Sequence, residues 1–266
     1  MLQNLKISAI QMNIHESVAG NLENAVELTE KCEGDIIVLP ELFTTGFTKH
    51  SSYFAENEYS GISFLTLKEI SKKRKNLIIG GLTEENKGCG DKPFNTAVVY
   101  NSGKLIGKYR KIHLFKYGDE HLYYSAGDKI FTCEFERTKF KTKIGVMLCY
   151  DLRFPETARE IMKQGAEIIF VPSNFPDERK EHWKTLLKAR AIENLCYVAG
   201  VNAYEIHNNC IDGKFGNSAC YDPWGNLVKG KTKCLKEGKI FEFELNIERV
   251  RKIRNKYKFL DEVIIL

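Results

Sequence analysis

The sequence predicts an α/β fold in a single domain spanning residues 1–266, on three observations. Apolar, β-branched-rich runs alternate with stretches of helical spacing along nearly the whole chain. No internal repeat and no linker rich in Ser, Pro or Gly interrupts that alternation. With 266 residues, 43% hydrophobic and 28% charged, the chain matches soluble globular domains and can bury its own core without disulfide or metal staples.

In chain order, LKISAIQM (5–12) reads as a strand and NLENAVELTEKC (21–32) as a helix. Strands follow at 35–40 (DIIVLP), 77–82 (LIIGGL), 96–100 (TAVVY) and 104–110 (KLIGKYR), with a helix at 62–75 where apolar residues fall three and four apart. Residues 111–128 have no clear period, are dense in aromatics and charge, and are long for a connection, as functional loops often are. The second half predicts strands at 143–149, 167–172, 196–202, 215–221 and 239–245 and helices at 155–164 and 180–194. Turns are expected at Asp212-Gly213 and Pro223-Trp224-Gly225.

Forty Lys and Arg against thirty-five Asp and Glu give a net charge of +5, spread along the chain with one modest basic cluster at 249–258. A nucleic-acid binder concentrates such residues on one face, so no nucleic-acid partner is expected. No run approaches the roughly 20 apolar residues of a membrane span, and MLQNLKISAIQMN lacks a basic segment followed by a long apolar one. A cytoplasmic location is the expectation. The eight cysteines (32, 89, 133, 149, 196, 210, 220 and 234) contain no CxxC pair, and most read as inert buried thiols.

Ligands of open α/β sheets gather beyond the carboxyl ends of strands. Three reactive side chains stand there: Glu41 after IIVLP, Lys111 after KLIGKYR, and Cys149 at the end of KIGVMLC. A thiol ahead of a helix that opens on Pro155 would meet converging N–H groups, which lower a thiol's pKa. Each residue alone also fits a bland reading as surface carboxylate, solvated lysine or structural cysteine. Together they supply the nucleophile, the proton acceptor and the oxyanion-holding cation of acyl transfer.

The segments VLPELFTTGF, KYRKIHLF and GVMLCYDLRFPE resemble, in order and spacing, the three signatures of the nitrilase-like carbon–nitrogen hydrolases with their Glu-Lys-Cys triad. HLFKYGDEHLYYSAGD, SNFPDERKEHW and ARAIENLCYVAGVN are similar to the ω-amidases within that superfamily, which deamidate dicarboxylic acid monoamides such as 2-oxoglutaramate. The resemblance implies an αββα sandwich, commonly paired into homodimers, and a small-molecule amide as substrate.

It also implies roles. Glu41 would take the Cys149 proton, with Lys111 and the Tyr150 backbone N–H holding the oxyanion and a thioester as the intermediate. Glu120 matches a second family glutamate and would accept a hydrogen bond from Lys111, its bland alternative being an exposed charge. No metal or organic cofactor enters this cycle. Among residues read individually, Arg179 is the candidate to grip a distal carboxylate, with Phe43, Tyr117 and Phe175 walling the cavity. Arg153 is expected to pair with Asp151, His113 to orient its turn, and Arg190 and Glu193 to serve a helix interface. Two alternatives stay open: a related hydrolase of N-carbamoyl amides, aliphatic amides or nitriles, and a catalytically silent metabolite-binding module.

Overall fold

Alternation within single strands separates two cores. A computed structural model describes residues 4–87, 92–137, 140–262 and 264; Cys89 lies outside them. The first half contains β1 (Leu5–Met12), β2 (Ile14–His15), α1 (Val18–Glu30), β3 (Ile36–Val38), α2 (Ile62–Arg74), β4 (Leu77–Glu84), β5 (Phe94–Asn101), β6 (Lys104–Arg110) and the short α3 (Glu120–Tyr123). The second half adds β7 (Phe131–Arg137), β8 (Phe140–Val146), α4 (Pro155–Lys163), β9 (Ile168–Ser173), α5 (Lys180–Asn194) and β10 (Tyr197–Asn202). It closes with β11 (Glu205–His207), β12 (Asp212–Lys214), β13 (Ala219–Tyr221), β14 (Lys231–Leu235), β15 (Gly238–Leu245) and α6 (Ile247–Tyr257).

Seven strands form one sheet in the order β14-β15-β1-β3-β4-β5-β6, and five form a second, β13-β10-β9-β8-β7; a small third sheet joins β12, β11 and β2. Ile7, Ile36, Val38, Leu77, Ile79, Ala97 and Val99 face the second sheet's Ile144, Val146, Ile168 and Phe170 in one core. The alternate residues of the same strands, Ile10, Ile37, Ile78, Val98 and Tyr100, pack on Leu22, Leu28, Phe64 and Leu67 of α1 and α2 in the other, as a period of two requires. Because α4 and α5 cover the second sheet's far face, the layers run helix, sheet, sheet, helix.

The first expected departure is at the tail. Asp212-Gly213 is not a turn but part of β12; the reversal falls at 208–211, where the Asn208 side chain accepts the N–H groups of Cys210 and Ile211. Of 215–221 only the last three residues form a strand. The segment 111–128 is tied down rather than loose: Gly127 N–H bonds Lys111 O, Ser125 N–H bonds Pro93 O, and Ser51 Oγ donates to Tyr123 O. Among the described residues no helix is long and apolar enough to cross a membrane.

Candidate active site

Strand directions bring the reactive groups to one edge. β3 runs parallel to β4, and β6 lies two antiparallel steps from β4, so the carboxyl ends of β3 and β6 coincide with the amino end of β5. This places Glu41, Lys111 and Asn95 together. From the facing sheet, the parallel strands β8 and β9 deliver Cys149 and Asn174 to the same edge. Gly81 lets the Glu41 turn pass: a Cβ there would stand 2.6 Å from Glu41 Cα and 2.7 Å from Leu42 N.

The nucleophile candidate sits three residues past β8, where it opens a 3₁₀ turn (Cys149–Arg153) in left-handed conformation with φ of 41°. Leu42 and Asp119, beside Glu41 and Glu120, also have positive φ, at 45° and 58°. Such conformations persist only where surrounding structure enforces them. Fully buried Asp151 enforces the first: it accepts from Leu148 N (3.1 Å), Tyr109 Oη (2.7 Å) and His113 N (2.8 Å), and pairs with His113 Nδ1 (2.8 Å). The Cys149 turn is thereby bolted to the strand end that carries Lys111.

Lys111 Nζ reaches Glu41 Oε1 at 2.8 Å and Glu120 Oε1 and Oε2 at 2.9 and 2.8 Å. Asn95 Nδ2 donates to the Oε1 atoms of the same two glutamates, at 2.8 and 2.9 Å. Phe115 N–H closes Glu120 Oε2 at 2.7 Å, and Asn174 N–H reaches Glu41 Oε2 at 3.0 Å. That Asn174 N–H also faces the Cys149 sulfur. All three charged side chains are almost fully buried, where an unpaired charge would cost several kcal/mol.

Burial opposes the ammonium of Lys111, but the carboxylates of Glu120 and then Glu41 hold its pKa well above the usual lysine value. Burial, then the Glu41 charge, pushes the Cys149 thiol well above its usual value, with only partial relief from Lys111. The shift is opposite to the lowering expected from a helix terminus, because desolvation at the sulfur outweighs the short turn's few N–H groups.

Above this floor opens a cavity of about 420 Å³, lined by Glu41, Lys111, Glu120, Cys149, Tyr150 and Asn174 at its base and by Phe115, Arg153, Phe175 and Arg179 among others further out. Arg153 stands 5.4 Å from the Phe175 ring centroid, and Arg179 stands 5.4 Å from that of Phe115. Among the described residues neither guanidinium has a carboxylate partner, and Arg153 only approaches His182 Nδ1 at 3.4 Å. No group of three or more His, Cys, Asp or Glu among the described residues could hold a metal.

The carbon–nitrogen hydrolase family model matches residues 6–255. The chain belongs to this family. It is 34% identical to a 2-oxoglutaramate amidase of Bacillus subtilis over 97% of this chain and 96% of that protein. Among solved structures, a CN-hydrolase superfamily protein of Xanthomonas campestris with an arsenic adduct in its active site superposes with a TM-score of 0.86 at 28% identity, covering 99% of this chain and 98% of the other. Saccharomyces cerevisiae Nit3, of branch 10 of the nitrilase superfamily, gives 0.82 at 28% identity, with 96% and 94% covered. The αββα layering is thus the nitrilase-superfamily fold.

This carbon–nitrogen hydrolase brings Glu41, Lys111, Glu120, Cys149, Tyr150, Phe175 and Arg179 to one cavity. It does not bring Phe43. The positive φ at Leu42 turns that side chain into the cavity and sends Phe43 into the helix-side core against Leu67 and Gly80. Tyr117 is 85% exposed and lies outside the cavity lining, beside Arg179 at the rim. Arg153 does not pair with Asp151; in a 3₁₀ turn residues two apart point about 240° apart, so one enters the core and the other the cavity. Arg190 donates to Leu152 O and Glu193, between α5 and the Cys149 turn. Sequence reading missed Asn95, which looks like an incidental polar residue in an apolar strand, and Asn174, to which the strand-end rule applies equally.

Proposed function

We propose that this enzyme hydrolyses the terminal amide of a dicarboxylic acid monoamide, 2-oxoglutaramate or a close analogue, to the acid and ammonia. The observation that carries the reading is a buried thiol, carboxylate and ammonium in a cavity whose wall also holds two arginines without acidic partners among the described residues. The similarity to the Bacillus subtilis 2-oxoglutaramate amidase supports the same substrate class.

Glu120 has four donor contacts and no acceptor position to spare, so it anchors Lys111. Glu41 has three and keeps one position open on Oε2, the oxygen reached by the Asn174 N–H that also faces the Cys149 sulfur. In the proposed cycle Oε2 takes the thiol proton as sulfur attacks the amide carbon. The oxyanion draws on Lys111, whose N–H can bifurcate between the two Glu120 oxygens and free another donor, and on the Tyr150 N–H, among the first donors of its turn. Protonated Glu41 gives its proton to the leaving nitrogen, ammonia departs, and a thioester remains on Cys149. The same carboxylate then deprotonates water, which releases the acid and regenerates the thiol.

Arg153 and Arg179 would bind the distal carboxylate in this reading, with Phe175 and Phe115 fixing the guanidinium planes. Incubating the protein with 2-oxoglutaramate and measuring ammonia tests it: the parent should turn over and Cys149→Ala should not. Equal release by both would end the proposal. Two copies would pair through the exposed strip Ile192, Trp224 and Tyr257, whose two aromatic rings lie 4.8 Å apart; Trp224→Glu should then give monomers in sedimentation.

A further inference from the structure

Asn95 is fully buried at the start of β5 and is absent from the cavity lining, so it has no contact to offer a substrate. Its Nδ2 nevertheless donates to both catalytic-site carboxylates, at 2.8 Å to Glu41 Oε1 and 2.9 Å to Glu120 Oε1. Lys111 Nζ contacts the same two oxygens, so two donors and two acceptors close a ring. The Asn95 Oδ1 atom is buried without a partner among the described residues, and turning the amide over would set that oxygen against two carboxylates.

We infer that Asn95 is a positioning residue which selects the oxygen of Glu41 that acts as the base. By filling Oε1 together with Lys111, it leaves the open acceptor position on Oε2, the oxygen that shares the Asn174 N–H with the Cys149 sulfur. A neutral donor suits this task better than a second cation. With one lysine between two carboxylates the cluster carries a net negative charge and stays able to accept a proton. A cation at position 95 would cancel that charge. The groups that face Glu41 are Lys111 at the end of β6, Glu120 in α3, Cys149 ahead of α4, and the buried Tyr124 phenol, which stays protonated.

The inference rests on the amidase reading but is separable from it. Asn95→Asp keeps the shape, removes both donors and adds a third carboxylate. Asn95→Ser keeps a single small donor and serves if the aspartate variant fails to fold. Both changes favour protonated Glu41, so the acid limb of the kcat/KM profile for 2-oxoglutaramate should move up by about one pH unit, more for Asp than for Ser. The value of kcat should fall at least ~10-fold while KM stays within about threefold, because the residue acts through Glu41 and not on substrate. The rate of Cys149 alkylation by iodoacetamide against pH reads the same proton acceptor without turnover, and its midpoint should move in the same direction. Folded variants with lower kcat but unmoved limbs in both profiles would overturn the inference and leave Asn95 a structural residue. A parent protein that releases no ammonia, or a Cys149→Ala variant that does, would instead overturn the amidase reading, and the alkylation profile would still decide the role of Asn95.

Discussion

Replacing Glu120 by Gln alters one atom and the charge, and the structure sets the size of the effect. Glu120 receives Lys111 on both oxygens, Asn95 on Oε1 and Phe115 N–H on Oε2. Whichever way a glutamine amide is turned, its NH₂ group meets one Lys111 contact and one neutral donor. One bond to a charged group, at about 1.5–3 kcal/mol, and one neutral bond, at about 1 kcal/mol, are then lost. Lys111 retains Glu41, and the site can relax, so about 2 kcal/mol should reach the transition state; at 1.36 kcal/mol per tenfold this is ~30-fold in kcat/KM. Removing a negative neighbour also disfavours protonated Glu41, so the acid limb should move down in pH, opposite to Asn95→Asp. The assay is ammonia release through a coupled dehydrogenase. A variant within threefold of the parent, with an unmoved acid limb, would refute the assignment of Glu120 as the anchor of Lys111.

Other expectations follow from the same geometry. Arg179→Ala and Arg153→Ala should each lower kcat/KM for 2-oxoglutaramate by ~10–100-fold relative to a neutral amide of similar length, in line with the loss of a charge-assisted contact; equal losses on both substrates would remove these arginines from carboxylate binding. Asp151→Asn, which leaves a buried donor against donors, should destabilise the fold by about 2–4 kcal/mol in denaturant melts and release the Cys149 turn. Cys32 and Cys196 are pushed up to about 12 by burial, so the folded chain keeps protons that the unfolded chain loses above about pH 8.5. Stability is therefore fully present below that point and falls as pH rises toward 12, by about 1.4 kcal/mol per pH unit for each thiol. Denaturant melts under reducing conditions should show this slope, and Cys196→Ala should lessen it.

What was legible in the sequence was the consequence of strand direction. Glu41, Lys111 and Cys149 each follow a strand-like run; β3 and β6, which point the same way past the antiparallel β5, and β8 of the facing sheet deliver the run ends to one edge. What was not legible depended on local backbone geometry and on burial. A single positive φ at Leu42 breaks the alternation that would have put Phe43 in the cavity. The Asp151 and Arg153 pairing inferred from nearness in sequence fails because the intervening turn is 3₁₀. The sign of the thiol shift reverses because composition says nothing of desolvation at one sulfur. Asp212-Gly213 has turn chemistry, yet the Asn208 side chain captures the reversal four residues earlier.

The most direct test of the mechanism is the intact mass of the protein, acid-quenched during turnover of 2-oxoglutaramate, followed by mapping of the modified peptide. The expected result is a gain equal to the acyl group, substrate less ammonia, on the peptide that carries Cys149, with no gain in Cys149→Ala. Steady ammonia release with no acyl adduct at any quench time, or an adduct on another residue, would contradict it.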